Sequence, residues 1–167
     1  MMDIFKLAKQ QFDNDFFLFL ISQKWDEVER LMLFKGFRKE DFMIKNVYHD
    51  QVSVWLSIAQ ASIFFIKPVY SKLASCPTKL GESLACGVPV IINSGIGDTE
   101  DIVKKENVGV VVDSFSDISY RGKLEEFKNL LRNKSELAQR CRFTAEKYFS
   151  LLSGAERYAK VYRSIIN

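Results

Sequence analysis

The sequence has a single histidine, His49, and only three cysteines, Cys76, Cys86 and Cys141. One histidine, which we interpret as a loop or surface residue, excludes a His-rich metal cluster. An odd number of cysteines without a CxxC pair argues against a disulfide framework or a zinc site. Cys76 and Cys86 bracket a predicted helix of about 15 Å, whereas a disulfide requires Cα atoms within about 7 Å. We therefore expect free thiols and a reducing, cytoplasmic location.

Long apolar runs and a strong charge are also lacking. The longest apolar runs, such as Phe16–Ile21, are far shorter than the roughly 20 residues that span a bilayer. Met1 and Met2 lead into a polar amphipathic stretch rather than a signal peptide. The formal net charge is only +3, without the basic stripe and aromatic platforms of a nucleic-acid partner. The 167 residues are 47% hydrophobic, which is enough for one domain with its own core.

Short apolar runs alternate with amphipathic segments up to Asp113. Continuous apolar runs are typical of strands whose two sheet faces are both covered by helices. The predicted strands are Phe16–Ile21, Ser62–Ile66, Pro89–Ile92, Gly109–Val112 and, with a weaker pattern, Phe42–Val47. The predicted helices among them are Asp3–Phe12, Lys24–Lys35, Gln51–Ala59, Pro77–Cys86 and Asp98–Lys105. This alternation predicts an α/β fold with a Rossmann-like parallel sheet and helices on both faces.

The pattern after Asp113 is helical only. Residues 1–113 are therefore the predicted α/β core, and residues 114–167 form C-terminal helices at Ile118–Leu131, Ser135–Phe149 and Ser153–Ile166. The last helix is basic and amphipathic. Such a helix usually packs on its own fold, and the alternative is peripheral contact of the whole protein with a membrane. Because doubly wound domains normally open on a strand, the opening helix predicts that this single domain belongs to a larger protein.

The helix Pro77–Cys86 is the most informative element. Pro77 suits a first helical position, because its missing N–H costs nothing there. Gly87 is a natural helix stop. Gly81 and Ala85 form a small-residue face, which predicts a close approach of this helix to the sheet.

Lys79 lies in the first turn of that helix, where the helix dipole makes a positive charge unfavourable. A bound anion would remove this conflict. Free backbone N–H groups, the hydroxyls of Ser75 and Thr78, and Lys79 would together hold a diphosphate. One turn later, Glu82 can accept hydrogen bonds from two hydroxyls of a ribose. The alternatives are a solvated lysine with Ser75 or Cys76 as N-cap, and an ion pair between Lys79 and Glu82.

The run PTKLGESLACGVPVI resembles the signature helix of the GT-B glycosyltransferases, specifically the large retaining group called family 4 or group 1. Glu82, Ala85, Gly87 and Pro89-Val90-Ile91 match the second half of that signature. The ending AERYAKVYRSI resembles the C-terminal helix of the same fold. The resemblance covers the chain from Phe16 to its end. It implies the C-terminal, nucleotide-sugar-binding half of a GT-B fold, whose N-terminal acceptor domain lies outside this sequence.

The resemblance also implies roles for individual residues. Glu82 would hold the nucleotide ribose, and the turn after Val47, with Tyr48, would meet the base. The residues that would meet the donor diphosphate are Ser75, Cys76, Pro77, Thr78 and Lys79. The first glutamate of the signature, which lies beside the donor sugar, is replaced by Ala74, so the sugar and the anomeric outcome are not predicted. We expect no metal and no cofactor, because positioning and stabilisation of the departing diphosphate suffice.

Other polar residues are weaker candidates. The DxD-like Asp13-Asn14-Asp15 precedes a predicted strand, whereas ligands bind outside the carboxyl ends of strands, so we interpret it as a turn. Ser94 and Gly95 follow a strand at the ligand-binding edge, and Lys67 ends another, so these three are candidate cleft residues. For Lys67 the commoner interpretation is a surface lysine. Asp98 is the expected N-cap of the next helix.

The predicted function is the transfer of a sugar from a nucleoside diphosphate sugar to a glycan or lipid acceptor, as in polysaccharide biosynthesis. This chain would supply the donor-binding half and would be inactive alone; its catalytic residues are not predicted. The alternatives are a non-catalytic nucleotide-sugar-binding module and a fragment of a GT-B-like epimerase. A receiver-type signalling domain would need acidic residues after the first strand, where the sequence has Ser22-Gln23.

Overall fold

The structure, a computed structural model, describes residues 2–12, 17–20 and 25–166. The helices are α1 (Met2–Gln11), α2 (Trp25–Phe34), α3 (Val52–Ser57), α4 (Thr78–Ala85), α5 (Thr99–Glu106), α6 (Asp117–Leu130), α7 (Lys134–Phe149) and α8 (Leu151–Ile166). The strands are β1 (Phe17–Leu20), β2 (Phe42–Lys45), β3 (Ser62–Phe64), β4 (Val90–Asn93) and β5 (Gly109–Val112). The predicted turn Asp13-Asn14-Asp15 and residues Phe16, Ile21, Ser22, Gln23 and Lys24 lie outside the described residues.

The strands pair in parallel. Strand β1 pairs with β2, with Phe17 opposite Phe42, and a second sheet has the order β3-β4-β5. The weaker strand prediction is confirmed as β2, although it ends at Lys45 rather than Val47. The predicted fold class, an α/β fold with a Rossmann-like parallel sheet, is confirmed.

Helices cover both faces of the three-stranded sheet. Since neighbouring side chains of a strand point to opposite faces, each strand contributes to two separate clusters. Ile91 of β4 and Val110 of β5 pack in a buried cluster with α1, α6 and strand β2. Val90 and Val111 pack in a second buried cluster with α4, α5 and α7. Every residue of β4 and β5 is buried. The continuous apolar runs in the sequence reflect this two-sided burial.

Helix α4 differs from the prediction in two details. It begins at Thr78 and Pro77 is its N-cap, since the extended backbone of Pro77 lies outside the helix while its carbonyl accepts from the Leu80 N–H at 3.0 Å. Gly81 faces α7 rather than the sheet, because a Cβ at Gly81 would lie 3.1 Å from the Phe149 ring. Ala85 is exposed. The predicted small-residue approach to the sheet is therefore wrong, and the glycine serves helix–helix packing.

The end of α4 follows the prediction. Gly87 has a φ of +78°, a conformation that glycine adopts without strain. Its N–H donates to the Leu84 carbonyl at 2.9 Å, and the Val88 N–H donates to the Ser83 carbonyl at 2.9 Å. These are the two hydrogen bonds of a Schellman stop. They direct the chain straight into β4.

Helix α8 does not pack on the rest of the fold in the way that is usual for such a helix. None of its residues, all of which lie in the described range, is buried. Tyr158, Tyr162 and Ile165, on the predicted apolar stripe, are all exposed. Among the helices that the structure describes, none is long and apolar enough to cross a membrane.

Candidate functional site

The carboxyl ends of β3 and β4 are joined by the side chain of Asn93. This amide is buried, and its Oδ1 accepts from the Ile66 N–H at 2.7 Å. Its Nδ2 donates to the carbonyls of Ile66 and Ser94, both at 2.9 Å. The next residue of each segment, Lys67 and Ser94, is thereby fixed at the same edge of the sheet. Two of the predicted cleft residues are therefore neighbours in the fold.

The loop after β4 packs closely on the segment that leads into α4. A Cβ at Gly97, whose φ is +48°, would overlap the backbone carbonyl of Ser75. At Gly95, with a φ of +80°, a Cβ would lie 3.6 Å from Pro68. The loop that contains the cleft residues Ser94 and Gly95 thus supports the predicted diphosphate turn, Ser75–Lys79.

The first turn of α5 holds the same loop from the other side. Asp98 is the N-cap residue, as predicted, but its side chain makes no capping hydrogen bond. Instead, the Glu100 carboxylate accepts from the Gly95 N–H and pairs with Lys104 at 2.6 Å. These contacts, the Lys104 pair foremost, hold the pKa of Glu100 below its ordinary value. An ionised Glu100 therefore fixes the backbone of Gly95.

The first turn of α4 has unused donors. The N-cap, Pro77, provides no side-chain hydrogen bond, so the interpretation of Ser75 or Cys76 as N-cap is wrong. Among the hydrogen bonds of the described residues, none has the backbone N–H of Thr78 or Lys79 as its donor. Lys79 is exposed and has no ion-pair partner within the described part of the chain. The conflict between this lysine and the helix dipole is thus present in the structure.

Glu82 does not pair with Lys79. Its Oε1 lies 3.4 Å from Nε2 of His49, and 36% of the glutamate side chain is exposed. His49 begins a short 3-10 helix, His49–Gln51, between β2 and α3. One turn further along α4, the Cys86 Sγ lies 3.8 Å from the Ser53 carbonyl. The alternative of a Lys79–Glu82 ion pair is therefore wrong, and Glu82 faces the loop that follows β2.

The environments of the thiols differ in burial. Cys76 is exposed, Cys86 half-buried and Cys141 buried, and all three are free. Desolvation raises the pKa of the Cys86 thiol, and the nearby Glu82 carboxylate adds to the shift. Burial raises the pKa of Cys141 to about 11. Desolvation also raises the pKa of the Cys76 thiol, so all three thiols favour the protonated form.

The loop after β2 borders an open cavity of about 410 Å³. Its lining residues are Lys45, Asn46, Val47, Gln51, Val54 and Trp55. The Lys45 Nζ lies 5.4 Å from the centroid of the Trp55 ring. Val47 thus lines a cavity, whereas Tyr48 is 80% exposed as the N-cap of the 3-10 helix. The region predicted to meet a base therefore adjoins Glu82 through His49.

The sequence pattern does not indicate three residues that arrange this edge. His49, Asn93 and Gly97 act through contacts between elements distant in the chain. An asparagine at the end of an apolar strand and a glycine two residues after another glycine were the available signals. Within the ranges that the structure describes, no group of three His, Cys, Asp or Glu side chains is arranged to hold a metal ion.

Comparisons with known proteins relate the chain to a family. The family model of the glycosyl transferases group 1 matches residues 1–148. A search of curated protein sequences finds no significant match. The chain resembles a sucrose-phosphate synthase from Thermosynechococcus elongatus, with a TM-score of 0.71 and 18% identity over 99% of this chain and 42% of that one. It also resembles WaaG, a glycosyltransferase involved in lipopolysaccharide biosynthesis, with a TM-score of 0.64 and 17% identity over 96% of this chain and 51% of that one.

Proposed function

The chain belongs to the glycosyl transferases group 1, and from that premise we propose that it supplies the donor-binding half of an enzyme that transfers a sugar from a nucleoside diphosphate sugar. The acceptor we propose is a glycan or a lipid, as in polysaccharide biosynthesis. No metal or cofactor takes part in this proposal. The proposed location is the cytoplasm, where the free thiols stay reduced.

The position of Glu82 is the observation that carries this proposal. Its carboxylate is partly exposed on α4, and its partner His49 is an exposed side chain 3.4 Å away. The cavity lined by Val47 lies on the β2 side of this pair. We propose that Glu82 accepts hydrogen bonds from two ribose hydroxyls while the base lies near Val47 and Tyr48. A carboxylate that forms charge-assisted hydrogen bonds binds strongly.

The first turn of α4 is the proposed diphosphate site. Its unused N–H groups, at Thr78 and Lys79, and the positive end of the helix dipole favour an anion. Lys79 adds a charge that the described residues do not neutralise. The contact of Gly97 with Ser75 keeps the preceding turn close to the sheet edge. Cleft residues Lys67, Ser94 and Gly95 would then face the sugar or the acceptor.

A second domain is the proposed partner. The chain spans 42% of the sucrose-phosphate synthase chain and 51% of the WaaG chain. Helix α8 exposes large apolar side chains that a soluble protein rarely leaves uncovered. We propose that residues 1–167 form one donor-binding domain, with an α/β core over 1–113 and C-terminal helices over 114–167. An N-terminal acceptor domain would complete the cleft, so the chain alone would not turn over.

Peripheral contact of the whole enzyme with a membrane remains the second proposal for α8. The second domain and a membrane can be distinguished as partners of this helix, because only binding to a membrane would depend on anionic lipid. Sedimentation of the chain with anionic and neutral vesicles separates them. Binding that depends on anionic lipid would support the membrane.

A calorimetric titration of the chain with nucleoside diphosphates tests the proposed function. Glu82→Ala should weaken binding by about 1.5–3 kcal/mol, the range for hydrogen bonds to charged groups. That is on the order of tenfold or more in affinity. The matched control is Glu125→Ala, an exposed glutamate of α6, which should bind like the wild type. The titration is repeated with EDTA, which should change nothing.

The same variants decide between a binding role and a structural role. An exposed ion pair contributes only about 0–1 kcal/mol, so Glu82→Ala should retain nearly the wild-type denaturation midpoint. If Glu82→Ala unfolds the chain while its folded fraction binds nucleotide normally, the residue is structural and the proposal fails. Loss of binding on chelation would instead overturn the metal-free part.

A nucleotide-sugar-binding module without turnover is the second candidate. The observation that favours it is Ala74, exposed where the family signature has a glutamate beside the donor sugar. A module of this kind would bind the donor with the same dependence on Glu82. It would transfer no sugar even when it is joined to its second domain, which an assay of the whole protein would reveal.

A further inference from the structure

His49 makes a contact that packing does not require. Its side chain is 93% exposed, so it contributes little to the core. Its Nε2 lies 3.4 Å from Oε1 of Glu82 on α4. The contact connects the loop after β2, which borders the 410 Å³ cavity, to the helix that carries the proposed ribose ligand. The main interaction of this exposed histidine is therefore with the Glu82 carboxylate.

The two helices on either side of this contact are already held together. The Cys86 Sγ lies 3.8 Å from the Ser53 carbonyl. Residues 82 and 86 are four apart and so share one face of α4. The 3-10 helix and α3 are continuous in the chain, with His49–Gln51 followed by Val52. The imidazole is thus held beside Glu82 by a backbone that is fixed one turn away.

A carboxylate in this position has two oxygens, and His49 faces one of them. Oε1 lies towards the imidazole, which leaves Oε2 and the remaining lone pairs for hydroxyl groups of a ligand. A side chain already held in its binding orientation loses less entropy when the ligand binds. We propose that His49 is a positioning residue, which orients the Glu82 carboxylate for the nucleotide ribose. This inference rests on the proposed function of Glu82.

Calorimetric titration of the chain with a nucleoside diphosphate measures this role. His49→Ala should weaken binding about two- to fivefold, the range of exposed contacts between polar or charged side chains. His49→Gln, which retains an N–H donor, should recover part of that loss. In the Glu82→Gln background, His49→Ala should have no further effect.

The outcomes separate the two proposals. If the wild type binds and Glu82→Gln weakens binding, but His49→Ala binds equally or more tightly, the positioning role is overturned and the proposed function stands. An equal loss from His49→Ala in both backgrounds would also overturn it, since the histidine would then act without Glu82. If the wild type binds no nucleoside diphosphate, both proposals fail. The denaturation midpoint of His49→Ala should equal that of the wild type, because the residue is exposed.

Discussion

Gly97 lies directly against the backbone carbonyl of Ser75, with no space for a side chain between them. The contact joins two loops that sequence order separates, the one after β4 and the one before α4. Through this contact Gly97, which lies outside the signature helix, holds the proposed diphosphate turn in place. Two features require a glycine at position 97, because the φ of +48° and the close approach to Ser75 both disfavour a Cβ.

Gly97→Ala should therefore destabilise the chain and weaken nucleotide binding together. The left-handed conformation costs a non-glycine residue about 1–2 kcal/mol, and the overlap with Ser75 adds to this. The obstacle is backbone, which cannot rotate aside as a flexible side chain would. Urea denaturation gives the stability, and a nucleoside diphosphate titration gives the affinity.

The control for this substitution is Gly122→Ala in the middle of α6. A Cβ at Gly122 would meet nothing within 4 Å, and alanine is favoured over glycine in a helix interior by about 0.5–1 kcal/mol. This variant should be more stable than the wild type and bind nucleotide equally. Equal stability of Gly97→Ala and the wild type would show that the two loops do not meet as described.

Asn93→Ala should lower the free energy of unfolding by about 1–3 kcal/mol, the cost of leaving buried polar groups without partners. The substitution removes all three hydrogen bonds of the amide and leaves the Ile66 N–H and carbonyl unpaired. Asn129→Ala, an exposed asparagine of α6, should change stability by less than about 0.5 kcal/mol. Similar denaturation midpoints for both variants would contradict the role of Asn93 as a clamp.

The elements of this fold could be predicted from local pattern, but the contacts within the site could not. The first and last residues of the strand Gly109–Val112 are predicted correctly, because a strand buried on both faces leaves an unbroken apolar run. The approach of Gly81 to Phe149 has no such signal, since a glycine pattern does not tell whether a sheet or a helix faces it. The pairing of Glu82 with His49 likewise depends on how α4 lies beside the loop after β2.

The exposure of the apolar stripe of α8 is a second feature that local pattern does not predict. Its apolar stripe is visible in the sequence, and the stripe alone favours packing on the fold. The exposure of that stripe depends on what lies opposite, which is a property of neighbouring segments rather than of the helix. Amphipathic pattern predicts that a face is apolar but does not identify what covers it.

Glu106 should make the stability of the chain depend on acid pH. Its carboxylate accepts from Lys147 at 2.8 Å and from the Tyr148 hydroxyl at 2.7 Å. These contacts, the lysine foremost, lower the pKa of Glu106. A carboxyl whose pKa is lowered by folding contributes stability above its unfolded pKa and loses it as pH falls through the folded value. The same contact raises the pKa of Lys147, so its share disappears only in strong alkali.

Denaturation as a function of pH measures this contribution. At pH 7, Glu106→Gln should be less stable than the wild type by at most about 1 kcal/mol, because Lys147 is partly exposed and solvent screens the pair. The difference should shrink as pH falls below about 4.3, the ordinary pKa at which the unfolded chain takes up the proton. It should be lost once pH falls through the lowered pKa of Glu106 in the folded chain. Glu125→Gln on α6 should show no such difference at any pH. A gap between Glu106→Gln and the wild type that persists at pH 3 would contradict the ionic origin.

Lys79→Ala should affect ligand binding and stability in opposite directions. Removal of a positive charge from the first turn of α4 should raise the stability of the free chain by a few tenths of a kcal/mol, since the helix dipole opposes that charge. The affinity for nucleoside diphosphates should fall much more than that for nucleosides, because only the diphosphate carries the charge that the lysine would meet.

Lys128→Ala is the matched control, as an exposed lysine in the last turn of α6. There the dipole favours the positive charge, so the same substitution should lower stability and leave nucleotide binding unchanged. Both variants gain the higher helix propensity of alanine, so the difference between them isolates the charge. If Lys79→Ala loses stability as Lys128→Ala does, or weakens nucleoside and diphosphate binding equally, Lys79 does not form part of an anion site.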